Sequence, residues 1–241
     1  MLHKTRGIAL HSSKFSETSV IARIYTEAFG LRSYLIKGIR KERSRMRPGL
    51  FQALTLLDLT VYNKEKSSLQ TIREASIAVP YQTLPFDILK SSVALFSSEL
   101  VYKSIREEEP HPKLFEFLWE YCLQLDATRG PVNLFPLLFI IRFTRFLGIQ
   151  PQQDYSRARR IFNLKEGTFQ EGIPDHDLFL DEPASGFLAK IQASDIRDPE
   201  ELRVPPEVRG ILLEKMLQYY RLHLSGFPGI RSHEILHTIL S

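Results

Sequence analysis

Between Thr5 and Val79 apolar residues recur at every second position. TRGIALHSSK, SVIARIYT, LRSYLIKGI, LFQALTLLDLTVYN and SLQTIREASIAV are runs of 8–14 residues, rich in β-branched and aromatic side chains and separated by short polar breaks. Alternation of this kind marks half-buried strands. AFG, ending at Gly30, and NKEKSS at 63–68 are turn signals between them. Five antiparallel strands with no strong helix among them predict a small closed barrel of the OB type. A five-stranded SH3-like barrel is the competing architecture, and periodicity does not separate the two.

At Pro80 the period changes. Asp87 is placed to cap a helix running through DILKSSVALFSSELVYKSIREEE to about Glu108. His111-Pro112 restarts a helix with proline in its first turn, followed by KLFEFLWEYCLQLD. VNLFPLLFIIRFTRFLG predicts a very apolar helix near Pro136 that stops at Gly148. PPEVRGILLEKMLQYYRLHL (205–224) is a further helix, and SHEILHTIL, capped by Ser232, closes the chain. Residues 150–205 are polar and turn-rich, with RIFNL and GTFQEG as short pieces able to pair in a hairpin. The expected fold class is therefore α+β and multi-domain. An OB-type barrel at 1–80 precedes a helical bundle at 81–241, with 150–205 an irregular insertion in the bundle.

Charge sharpens this division. The 241 residues carry a formal net charge of only +4. Residues 1–80 hold 14 Lys+Arg against 6 Asp+Glu, whereas residues 81–241 hold 18 against 22. A polarised distribution points to a charged face with a partner. The single cysteine, Cys122, excludes an internal disulfide and a four-cysteine zinc site, and its apolar helical setting predicts a buried thiol. No run approaches a membrane span or a signal peptide, so a cytoplasmic setting is expected. No phosphate-binding loop, dinucleotide fingerprint or hydrolase motif occurs. His233 and His237 lack a third ligand nearby in sequence, and the DHD at 175–177 reads as a solvated loop. The expectation is a protein that is not an enzyme and has no metal or cofactor.

One connection stands out. KGIRKERSRMRPG, residues 37–49, packs six cations and one carboxylate between two strands. Like charges this close repel unless water, salt or an anionic partner screens them. Arg32, Lys37, Arg40, Lys41, Arg43, Arg45 and Arg47 are the candidate phosphate contacts. Guanidinium groups clamp phosphate oxygens in pairs and never lose their charge, and releasing counterions favours binding whatever the base sequence. Arg6, Lys14 and Arg23 extend the basic face if their strands turn them outward. Among the barrel aromatics Tyr25, Phe29, Tyr34, Phe51 and Tyr62, most are expected in the core; Tyr34 and Phe29 are the two that could be exposed, and Tyr34 is the candidate base-stacking ring.

TRGIALHSSKFSETSVIARIYTEAFGLRSYLIKGIRK resembles the N-terminal barrel of the RecO family, bacterial mediators of DNA repair and recombination. FQALTLLDLTVY, PYQTLPFDILKSSVALFSSELVYKSIREEEP and RFTRFLGIQP continue the likeness over nearly the whole chain. The resemblance implies an OB-fold joined to a helical domain and binding of single- and double-stranded DNA in the bacterial nucleoid. It also implies annealing of complementary strands and action with RecR to load RecA. RecF is a further candidate partner, and the acidic C-terminal tail of single-strand-binding protein is another. Arg142 and Arg145, set among apolar residues, are the candidates for that tail. Many members carry a four-cysteine zinc module where this chain has residues 150–200 and no cysteine, so packing and hydrogen bonds must hold that region here. The alternative reading is a protein-interaction adaptor whose basic connection meets an acidic partner.

Overall fold

Strand β1 (Leu2–Lys14) serves two neighbours in turn. Its first half pairs antiparallel with β4 (Leu56–Tyr62), from Leu2↔Tyr62 to Ile8↔Leu56. Its second half pairs with β2 (Val20–Thr26), from Gly7↔Thr26 to Lys14↔Val20. A bulge between Ala9 and His11, within the pairing with β2 and just past the end of the pairing with β4, bends the strand. β2 pairs with β3 (Gly30–Ile36) and β4 with β5 (Leu69–Ile77). Parallel pairing of β3 with β5 closes the ring in the order β1-β2-β3-β5-β4. That strand order is an OB barrel and decides between the two architectures that periodicity left open. The computed structural model describes residues 1–39, 46–64, 67–105, 109–194, 202–233 and 236.

Alternation fills the barrel. Val20, Ala22 and Ile24 of β2, Tyr34 and Ile36 of β3, Leu57, Leu59 and Val61 of β4, and Ile72 of β5 point inward and are buried. Ile39 and Phe51 join this core, and Met46 and Leu50 pack against it. The run LFQALTLLDLTVYN yields a shorter strand than its pattern predicts. Pro48–Phe51 is a 3-10 turn, and β4 begins at Leu56. Leu54 adopts a positive φ of 60° while its N–H bonds the Ala9 carbonyl (2.7 Å), so this segment joins the ladder at the β1 bulge.

Helix α1 (Ile88–Ser104) starts as its sequence predicts, with the Asp87 carboxylate accepting from the Leu89 and Lys90 N–H groups at 2.8 and 3.1 Å. It ends at Ser104, and residues 106–108 of the expected extension lie outside the described residues. Helix α2 (Pro112–Ala127) stacks Phe115 on the outward-facing Tyr25 at a ring separation of 6.4 Å. Both helices belong with the barrel in one compact unit, Met1–Ala127, and the rest of the chain forms a second. Asp126 ties the end of α2 to the start of α1. Its carboxylate accepts from the backbone N–H groups of Gln82, Thr83 and Leu84 at 2.7–2.9 Å, and its carbonyl accepts from the buried Lys90 ammonium. Burial alone raises the Asp126 carboxyl, but these donors outweigh it and hold the group below its ordinary range. Cys122 is fully buried, and burial pushes its thiol up to about 12.

The second unit, Thr128–Ser241, contains α3 (Phe135–Phe143), α4 (Ala184–Ala193) and α5 (Pro206–His223). Gly148, at a φ of 69°, ends the 3-10 turn that follows α3. The Tyr220 hydroxyl donates to the Ile140 carbonyl (2.7 Å) and joins α5 to α3. The stretch expected to be irregular is ordered in part. β6 (Ile161–Asn163) and β7 (Thr168–Gln170) form the expected hairpin, and β8 (Phe179–Leu180) adds a third strand on the other side of β6. β8 and α4 had no sequence signal, because two residues cannot show a period and α4 is set in a polar context. The closing segment, with Ser232 and the His233/His237 pair, falls largely outside the described residues. Among the described residues no helix is long and apolar enough to cross a membrane.

Candidate nucleic-acid interface

The strand registers define an open outer face on β1, β2, β3 and β5. One row reads His11, Arg23, Ser33 and Leu69 across the four strands, and the next reads Ser13, Ile21, Leu35 and Thr71. Arg23, Ser13, His11 and Thr71 are exposed, and the apolar members are half-buried. Beside this face Tyr25 lies under Phe115 of α2, and at its border the exposed His11 stacks on Tyr102 of α1 at 5.1 Å. Beyond the second row, Lys14 pairs with Val20 and Val20 with Ile36. The turn 15–19 and the basic connection that starts at Lys37 therefore leave the barrel side by side. Lys14 and Lys37 are exposed there, and Arg47, before the 3-10 turn, is exposed as well. Ile39 is buried in the barrel core and Met46 packs against it, on either side of residues 40–45. Arg40, Lys41, Arg43 and Arg45 lie outside the described residues.

The structure separates the remaining candidates from this edge. Arg32 lies near the β2–β3 turn, and its Nε donates to the Phe29 carbonyl at 3.2 Å. Five residue steps along the chain, about 17 Å, separate it from Lys37. Arg6 stands near the same turn. Its guanidinium bonds both oxygens of Glu27 (2.8 and 2.9 Å) and one of Glu116 (2.6 Å), and lies about 5 Å from the Phe115 and Trp119 ring centroids. The hydrogen bonds from Arg6 hold the Glu27 carboxyl below its ordinary range, and the two carboxylates raise the arginine further. Arg6 thus fastens β1 to α2, and its charge is balanced within the chain. Tyr34 is a correction to the sequence reading. Its side chain has no exposed surface, so its ring is barrel core and offers no base a stacking platform. Pairing with Ala22, which points inward, fixes that orientation.

Two residues that the charge pattern did not single out are exposed on the barrel. Phe15, in the turn 15–19, is 59% exposed, and Tyr62, at the end of β4, is 42% exposed. In the second unit, Arg142 donates to the carbonyl and to Oγ of Ser194, closing the C-terminus of α4, where a cation suits the helix dipole. Arg145 is exposed, its guanidinium 4.6 Å from the Phe146 ring centroid. A pocket of about 600 Å³ in the same unit sets Arg203 and Arg209 among Leu134, Leu202, Val204 and Pro131.

An OB barrel with an open face bordered by exposed cations, joined in one chain to a helical unit, defines an OB-fold protein built on two compact units. Residues 1–81 match the family model described as Recombination protein O N terminal, and residues 85–231 match Recombination protein O C terminal. The chain is 33% identical over 237 residues to the DNA repair protein RecO of Bacteroides fragilis, covering 98% of each. It is 33% identical to that of Phocaeicola vulgatus, covering 100% of each, and 33% identical to that of Flavobacterium johnsoniae, covering 99% of each. The chain belongs to the RecO family of DNA repair and recombination proteins.

Proposed function

We propose that the chain is a non-enzymatic mediator that binds single- and double-stranded DNA through the outer barrel face and the basic connection. The observation that carries this reading is the register that brings Lys14 and Lys37, where the basic connection begins, to one edge of an OB face that also bears the exposed Arg23. Cations on this edge neutralise two phosphate backbones at once, lower their mutual repulsion and let complementary strands anneal. In this reading the protein acts with RecR to load RecA onto DNA coated by single-strand-binding protein, in the cytoplasm at the nucleoid. Membership of the family supports that assignment. The test is single-strand binding at two salt concentrations for the native chain and for Arg40, Lys41, Arg43 and Arg45 changed together to Glu. Steep salt dependence that the variant loses supports phosphate binding. Equal binding by the variant makes the connection a solvated or partner-facing element and moves the DNA path to the barrel face or the helical unit.

The acidic tail of single-strand-binding protein needs an apolar pocket with a cation at its rim. Of the two arginine sets in the second unit, Arg203 and Arg209 supply both features, whereas Arg142 is engaged as a helix cap. We assign the tail to this pocket, with Arg145 as the remaining sequence-based candidate. A labelled acidic peptide that loses affinity for Arg203→Glu but not for Arg145→Glu supports the pocket, and the reverse restores the sequence-based assignment.

A further inference from the structure

Phe15 carries an inference beyond charge. A single exposed phenylalanine on a protein surface needs no explanation by itself. Three observations set this one apart. First, its backbone is fixed in a closed turn: the Phe15 and Ser16 N–H groups donate to the Ser19 carbonyl at 3.0 and 3.2 Å, and the Ser19 N–H donates to the Ser16 hydroxyl at 3.1 Å. The turn that carries the ring therefore need not be ordered when a ligand arrives, which lowers the entropic cost of using it. Second, it stands among cations. Lys14 precedes it, and Lys37 leaves the barrel two strands away, about 10 Å across the sheet. Third, the other aromatic residues of the barrel are committed elsewhere. Tyr25, Tyr34 and Phe51 are buried, and Phe29 packs on the core with its edge to His3 at 5.2 Å. The exception is Tyr62, exposed on β4, which pairs with Leu2 of β1 and Thr71 of β5 and so continues the second row at the opposite end from Ser13.

We propose that Phe15 is a base-stacking residue that receives one unpaired nucleobase while Lys14 and Lys37 hold the flanking phosphates. The inference rests on the DNA-binding reading above and deepens it. A ring and two cations at one edge match the stacking-plus-phosphate recognition of single strands, and the loop between strands 1 and 2 borders the ligand face of OB folds. A duplex keeps its bases stacked internally, so the contact favours single strands over duplexes and makes the protein sensitive to unpaired ends.

The test compares an oligo(dT) strand, an abasic strand of equal length and a duplex, at fixed salt, with the full chain. Phe15→Leu keeps apolar bulk and removes the aromatic face. It is expected to weaken oligo(dT) binding roughly 5- to 150-fold while leaving the abasic strand and the duplex unchanged, and Phe15→Tyr is expected to restore it. Phe15→Trp is expected to add a fluorescence signal, above that of the native Trp119, which oligo(dT) quenches. Native-like oligo(dT) affinity of Phe15→Leu overturns the proposal. So does equal weakening on all three ligands, which would make the turn structural. A native chain that binds none of the three overturns the DNA reading itself.

Discussion

The two β structures of this chain reach order by different routes. In the barrel each of the five strands has a neighbour on both sides, and its inward residues form a core of their own. Closure removes sheet edges, and the buried alternation forbids a one-residue slip. The sheet of the second unit has strands of three, three and two residues, and β7 and β8 are open edges. A sheet that small is not stable alone. It is held by contacts from residues around it. Phe162 packs on Phe169 and on Tyr219 of α5 at ring separations of 5.0 and 5.9 Å. The Asn163 side-chain carbonyl accepts from the N–H of Lys165 (3.0 Å), Asp154 accepts from the N–H of Phe169 (3.0 Å), and His223 meets the Leu164 carbonyl (2.7 Å). The family resemblance implies a zinc module at this place in many members. Here an aromatic cluster and short polar links take that role. The difference teaches that a β region fixed by its own closure tolerates loss at one point, whereas one held by its surroundings depends on a few anchors.

That contrast can be broken at its anchors. The largest effect is expected for Phe162→Ala, at about 3–5 kcal/mol of stability lost by denaturant unfolding, with hydrogen exchange accelerating first in β6 and β7. Gly167→Ala comes next, at about 1–3 kcal/mol. The position combines a φ of 69° with a Tyr219 hydroxyl only 2.7 Å from where a Cβ would stand, so an added methyl is strained and displaces the anchor. Its counterpart in the barrel is Gly7→Ala, where a Cβ would lie 2.6 Å from Leu59 Cδ1 and 2.9 Å from Ile24 Cγ2. We expect about 1–2 kcal/mol there, spread over the whole barrel in hydrogen exchange rather than confined to one turn.

Smaller effects sharpen the comparison between fastening and binding cations. Arg6→Met is expected to cost about 1 kcal/mol through lost ion pairs and ring contacts, with single-strand affinity unchanged, whereas Lys37→Gln lowers affinity and leaves the unfolding midpoint in place. A weaker DNA complex with Arg6→Met would move Arg6 back into the interface. Asp126 gives the smallest and most conditional effect. Its folded carboxyl is held below its unfolded value, so its contribution is present above the unfolded value and is lost as pH falls through the folded one. Asp126→Asn is therefore expected to flatten the acid limb of a stability-against-pH curve, and an unchanged limb would sink the assignment.

Much of this was legible along the chain because its signals are local. Five alternating runs gave five strands, Asp87 and Pro112 marked helix starts, Gly148 marked a stop, and RIFNL and GTFQEG gave the hairpin. The segment 50–55 misled, because its apolar residues plug the barrel rather than extend a strand. Phe15 carries no such signal, because nothing in HSSKFSE distinguishes an exposed ring from a buried one.

The sequence by itself determined a strand-rich, basic first third and a helical remainder, since alternation, capping and charge are properties of neighbours in the chain. Tertiary structure alone decided the OB order, because pairing β3 with β5 joins residues more than thirty positions apart. It also decided which cations are bound to carboxylates and which face outward. Arg6 and Lys37 look alike in sequence, but Glu27 and Glu116 reach Arg6 only once β1, the β2–β3 turn and α2 have been brought together.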